Sequence, residues 1–285
     1  MTSTFKEKRL GSIKKGKLAS NIFAYTILLL GSVVMIAPLL WMINAALKFN
    51  QFSLYGPLFH ELYFYNFIEV FDTIPVWQGF INSLIVAIPS ILVGTFVSAL
   101  AAYSFAKIKF KFRTVIFVLM LAVMMIPFPV VMIPQYYIFS ELDWIGTLLP
   151  LIIPKLFGNI MMIFFLRQFL SHIPDTLIES AKIDGATHFQ IFWIIIMPLL
   201  KPALAAQMVL WFIGIWNDYL APNFFSAASP TLPVVIGGLV SDFPIQEPVH
   251  LNMAASIISM VPVLVVFAIF QKQIINSLVL SGMKE

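Results

Sequence analysis

Cysteine is absent from all 285 residues, which removes disulfides, thiol nucleophiles and Cys-based metal sites together. Charge is scarce as well: 11% of the residues are Asp, Glu, Lys or Arg, against roughly 25% in an ordinary soluble domain. With 60% hydrophobic residues and a mean hydropathy of +0.95, the chain is composed for a lipid solvent. The four histidines, His60, His172, His188 and His250, are scattered without helical pairing, so neither a zinc site nor a Ser/His/Asp triad is supported. Gly11 and Gly16-Lys17 imitate the start of a phosphate-binding loop, but Leu18 stands where Ser or Thr would reach magnesium, and no apolar strand precedes it. ATP hydrolysis by this chain is therefore not expected. Its net charge of +4 fits Lys and Arg anchoring cytoplasmic loops better than it fits nucleic-acid binding.

What is present is a series of long apolar runs. Spans need about 20 mostly apolar residues to cross a hydrocarbon core, and six segments qualify: 22–47, 80–106, 115–139, 145–170, 202–221 and 251–275. The first is too long for the apolar region of a secretory signal, about 7–15 residues. Pro127, Pro129, Pro134, Pro150 and Pro154 interrupt the third and fourth, which either line protein or a cavity or are merely bent. An N-terminus inside the cell puts 15 of the 17 basic residues on the cytoplasmic side, so the positive-inside rule predicts two cytoplasmic termini. Residues 1–20 read as a basic cytoplasmic tail without structure, and 21–285 as the membrane domain. The external loops, 48–79 and 222–250, carry Glu61, Glu69, Asp72, Asp242 and Glu247 among many aromatics. These aromatics either sit in the interfacial belt or form a docking surface.

Ionisable and amide groups inside spans are costly and usually face the bundle interior. Lys155 and Asn159 share one face of the fourth span, and Gln207, Trp211, Gly214 and Asp218 follow a 4-3-4 spacing along the fifth, with Asn217 beside them. This polar stripe is the candidate solute pathway. Lys155 is within reach of Asp218 if its side chain snorkels, as a pathway pair or as a structural one.

Between the fourth and fifth spans, in the loop at about 171–201, the sequence turns polar. Pro174 and Asp175 suit the first turn of a short helix. Gly185 supplies a residue able to adopt positive φ and stop it, and Thr187 and Gln190 have the spacing of a capping box that starts a second helix. Leu177, Ile178 and Ala181 form an apolar stripe; Glu179 and Lys182 are left polar. A helix, a Gly bend and a second helix in a cytoplasmic loop can dock a partner or lie on lipid headgroups, and local chemistry leaves both open.

At these residues the sequence resembles the membrane-spanning permease subunits of bacterial carbohydrate ABC importers, the binding-protein-dependent transport inner-membrane component family. The family signature reads here as Glu179-Ser180-Ala181, Gly185 and Ile195-Ile196-Met197-Pro198, with spacing intact and with Ser180 and Met197 as departures. NSLIVAIPS (82–90), LAAYSFAKIKFKFR (100–113), MMIP (124–127), FFLRQFLSHIPD (164–175), WNDYLAP (216–222) and MAASIISMVPVLVVFAIFQKQI (253–274) are similar to the smaller maltose-type permease, whereas Asn276-Ser277-Leu278 departs from it. The resemblance implies an all-α polytopic membrane protein with six transmembrane helices and a cytoplasmic coupling helix between helices 4 and 5. It also implies a second permease subunit, two ABC ATPase subunits that bind ATP and magnesium, and an extracytoplasmic sugar-binding protein. This chain itself would bind no cofactor. Glu179, Ser180, Ala181, Asp184, Gly185 and Ala186 would form the ATPase-coupling element. A self-contained secondary transporter or channel is the alternative, short of coupling carboxylates apart from Asp218; a membrane scaffold or sensor is a third.

Overall fold

The computed structural model describes residues 2–49, 56–60, 62–241 and 248–282, and among them every regular element is helical. In chain order these are α1 (Thr2–Ala46), α2 (Asn66–Thr73), α3 (Val76–Lys107), α4 (Arg113–Val123), α5 (Phe128–Glu141), α6 (Leu149–Leu156), α7 (Ile160–Ser171), α8 (Asp175–Ile183) and α9 (His188–Ile191). A widened π segment, Phe192–Ile196, joins α9 to α10 (Met197–Trp216), followed by α11 (Leu220–Phe225), α12 (Leu232–Ser241) and α13 (Val249–Gly282).

Five stretches are long and apolar enough to cross a membrane: Asn21–Ala46, Val76–Lys107, Leu149–Ser171, His188–Trp216 and Val249–Gln273. The expected third span is broken. Its halves, α4 and α5, meet at 97°: Pro127 between them is extended, with ψ 137°, and Pro129 falls in the first turn of α5, where its missing N–H costs nothing. Counting that pair as one crossing gives six. The expected fifth span is also redrawn: it starts at His188 and ends at Trp216 instead of running 202–221. Its π turn lies just before Pro198 and Pro202, whose missing N–H groups interrupt the α-helical ladder. The tail read as unstructured is helical backbone from Thr2 onward. Both external loops contain helices as well, α2 in the first and α11 and α12 in the second; Glu61, Asp242 and Glu247 lie outside the described residues. Lys48, at the start of the first external loop, is 1% exposed, with its ammonium donating to the Pro57 carbonyl at 2.8 Å.

α3 is the central helix, packed on α6, α7, α10 and α12. Its buried face is made of small residues, Ser83, Ala87, Ser90, Gly94, Ser98 and Ala102; in lipid, close backbone approach replaces the hydrophobic effect as the drive for helix association. The tightest crossing is at Gly94, where a Cβ would lie 2.4 Å from the Lys155 carbonyl oxygen and 2.4 Å from the Trp211 ring. Two apolar cores result. One joins α3, α10, α12 and α13 around Trp216, and the other joins α3, α7, α8 and α9 around Leu166, Leu170 and Phe192.

Candidate functional site

The second core ends in the α8–α9 bend. α8 is entered through Pro174, with ψ 137°, and carries Asp175 in its first turn and Lys182 in its last, both signs matched to the helix dipole. Lys107, the last residue of α3, reaches across to it. Its ammonium donates to the Ile173 carbonyl at 2.6 Å and to Asp175 Oδ1 at 2.6 Å. The lysine side chain is 5% exposed while the carboxylate is 75% exposed. The hydrogen bond from Lys107, then its charge, hold the Asp175 carboxyl below its ordinary pKa.

The exit from α8 is a Schellman cap. Gly185 has φ +80°, the Ala186 N–H donates to the Ala181 carbonyl at 2.9 Å, and the Gly185 N–H to Lys182 at 3.0 Å, the paired 6→1 and 5→2 bonds of that motif. The capping box follows at once: Gln190 N–H donates to Thr187 Oγ1 at 3.3 Å and Thr187 N–H to Gln190 Oε1 at 2.8 Å. His188 Nδ1 lies 3.1 Å from the Tyr103 hydroxyl, tying α9 back to α3.

This local chemistry divides the coupling candidates between two faces. Ile178 is buried, and the half-buried Ala181 and Ala186 pack into the chain's own core, so they anchor the bend instead of forming its outer surface. Glu179, Ser180, Asp184 and Gly185 are exposed, Ser180 with its hydroxyl returned to the Thr176 carbonyl at 2.7 Å. A Cβ on Gly185 would meet nothing within 4 Å. Leu177, expected on the inward stripe, is 46% exposed, and Ile183 and Phe189, which sequence reasoning missed, are 87% and 63% exposed. The signal for Ile183 was available: it is an apolar residue off the stripe, two positions before the glycine. Lys107 had no comparable signal.

The polar stripe is less unified. Asn159 is the N-cap of α7, its side chain accepting from Met162 N–H at 2.9 Å and its own N–H donating to Ser98 Oγ at 2.8 Å. Trp211 is packed against Gly94. Lys155 turns back to the Leu151 carbonyl at 3.0 Å, and Asp218 accepts from Ala221 N–H at 3.2 Å. The expected Lys155–Asp218 ion pair is not formed: among the described residues Lys107–Asp175 is the one pair within 4.0 Å. Gln207 is half-buried and Asn217 exposed. Asn217 lies on the rim of a cleft of about 420 Å³ that Tyr219, α12 and α13 complete.

Residues 91–279 match the family described as binding-protein-dependent transport system inner membrane component. The chain is 32% identical, over 77% of its length and 78% of the relative's, to the arabinooligosaccharides transport system permease protein AraQ of Halalkalibacterium halodurans. It is 28% identical, over 90% of its length and 94% of the relative's, to the lactose transport system permease protein LacG of Rhizobium radiobacter. The fold resembles a solved bacterial ABC transporter involved in the import of the acidic polysaccharide alginate, with a TM-score of 0.76 at 19% identity, covering 90% of this chain and 97% of that one.

Proposed function

Because the chain belongs to the binding-protein-dependent transport system inner membrane component family, we propose that it is one permease subunit of an ATP-driven sugar importer. In this reading it forms the translocation pathway with a second permease, receives sugar from an extracytoplasmic binding protein, and is moved by two cytoplasmic ATPase subunits that hold ATP and magnesium. In this reading both termini are cytoplasmic, the orientation that the distribution of Lys and Arg favours. The sugar assignment rests on relatives named for arabinooligosaccharides and lactose.

The observation that carries the reading is the α8–α9 bend. A hinge that transmits force must be stiff on the side of its own helices and free on the other. The Schellman cap, the capping box and the Lys107 contacts supply the first; the exposed Glu179, Ile183, Asp184 and Gly185 supply the second. Seated on an ATPase subunit, the bend would carry nucleotide-driven closure into α7 and α10 as a rigid-body rotation. Glu179 and Asp184 would supply charge to that contact, Ser180 and Gly185 its close approach, and Ala181 and Ala186 the internal support. The candidate pathway groups are Lys155, Gln207, Asn217 and Asp218, with Asn159 and Trp211 holding the helices that present them. The Asn21–Ala46 span, whose most apolar window has none of its residues buried against the rest of the chain, is left for lipid and for the second permease to cover.

Gly185→Asp tests the coupling role. The added side chain would meet nothing of its own chain within 4 Å, and Asp tolerates the positive φ of this position better than most residues, so the variant should insert, yet a charge enters the ATPase contact. Sugar-stimulated ATP hydrolysis by the reconstituted complex should be lost; hydrolysis at the wild-type rate would overturn the assignment.

A further inference from the structure

α13 is apolar toward lipid, where Val261, Leu264, Val265 and Phe267 are about half exposed. One stripe is different: Asn252, Ser256 and Ser259 recur at spacings of four and three, all half-buried. Among the described residues their side chains have no hydrogen-bond partner. Polar groups in a membrane helix are costly unless water, solute or protein satisfies them, so the stripe needs an occupant opposite. The space opposite is the cleft of about 420 Å³, within the roughly 300–1,000 Å³ of small-molecule sites. Behind it the buried Trp216 ties α10 to α13, its indole N–H donating to the Ser259 carbonyl at 2.9 Å.

The far wall supplies an aromatic ring and a further amide. Tyr219 is 44% exposed and leans on Gly237, where a Cβ would lie 2.6 Å from its ring; the glycine therefore sets where the ring can stand. Asn217 donates one bond to the Ile213 carbonyl at 3.0 Å, which leaves its carbonyl oxygen and second N–H available. None of the lining residues is charged. Beside the apolar Pro233, Ile236, Met260 and Val263, an aromatic face, two amides and two hydroxyls without a charge suit a neutral polyhydroxylated ring, with its C–H face on the aromatic and apolar groups and its hydroxyls on the amides. Phosphorylated and acidic solutes would find no cation here.

We propose that the cleft formed by Asn217, Tyr219, Asn252, Ser256 and Ser259 is a subsite for neutral carbohydrate, so that this subunit touches the solute directly. The proposal rests on the importer reading and names the surface on which that function acts. The test uses the assembled complex in proteoliposomes, with its second permease, ATPases and binding protein, and follows uptake of radiolabelled arabinotriose and lactose. Tyr219→Ala, Asn252→Ala and Ser256→Ala should each raise the uptake KM, by about tenfold for the first two, as expected for loss of one stacking or hydrogen-bonded contact. Tyr219→Phe, which keeps the ring, should lose no more than about threefold. Val265→Ala, on the lipid face, is the control. Unchanged KM in both Tyr219→Ala and Asn252→Ala would overturn the proposal. So would loss of the second permease from the purified variants, which would make the cleft a seam between subunits. A wild-type complex that showed no ATP-driven uptake of these two sugars or of any other in a panel of neutral mono- and oligosaccharides would instead overturn the importer reading, and this inference with it.

Discussion

Lys107 is the residue whose loss should reveal how the bend is held. Its buried ammonium donates to the Ile173 carbonyl and to Asp175, both at 2.6 Å. A hydrogen bond from a charged donor contributes about 1.5–3 kcal/mol. The ion pair, with its carboxylate 75% exposed, adds only about 0.2–1 kcal/mol. Lys107→Met should therefore release α8 from α3 by about 2–4 kcal/mol, roughly 30- to 700-fold in the local opening equilibrium. Asp175→Asn keeps an acceptor and loses only the charge, so its effect should stay below about fivefold. Hydrogen exchange of the α8 amides in the assembled complex reads both numbers directly. The acid limb follows from the lowered pKa of Asp175. Its stabilising contribution is complete above the ordinary Asp range near 4 and is lost as pH falls through that range to the lowered folded value; between pH 6 and 8 protection should not change on its account. Equal effects of Lys107→Met and Asp175→Asn, or unaltered protection in the first, would refute the assignment of the main contribution to the Ile173 bond.

Other substitutions test the remaining packing and the division of roles. Gly94→Ala places a methyl 2.4 Å from the Lys155 carbonyl oxygen, a backbone atom with little room to shift, and should cost about 1–3 kcal/mol as overpacking, seen as a lower melting temperature of the purified protein. Asn159→Ala removes the α7 cap and should destabilise by about 1 kcal/mol while leaving the uptake KM unchanged, because the side-chain oxygen is taken up by the Met162 N–H; a raised KM would return it to the pathway. Thr187→Ala should loosen the capping box by about 1 kcal/mol, detectable as faster exchange in α9.

The parts of the bend that were legible in the sequence are those set by chemistry within a few residues. Thr187 and Gln190 stand three apart, and their reciprocal bonds follow from that spacing alone; Gly185 can take the positive φ that ends α8. Pro127 and Pro129 announced a break, but the 97° angle between α4 and α5 depends on packing that no local signal encodes. Lys155 and Asp218 lie on different helices, and the rotation of one helix against another decides whether they meet. The same is true of Lys107 and Asp175, 68 residues apart. One long-range feature was readable: small residues at Ser90, Gly94 and Ser98 recur every fourth position on α3. They mark the helix that the others pack against, and they are overlooked when a span is read for hydrophobicity alone.

The central claim is that the face bearing Ile183 and Gly185 is covered by an ATPase subunit. A chain without cysteine allows a direct measurement. Ile183→Cys introduces a single thiol at a side chain that is 87% exposed, and its rate of maleimide labelling can be compared in the isolated permease and in the full complex. Rapid labelling of the isolated chain and strong protection once the ATPase subunits are bound is the predicted result; equal labelling in both would contradict it.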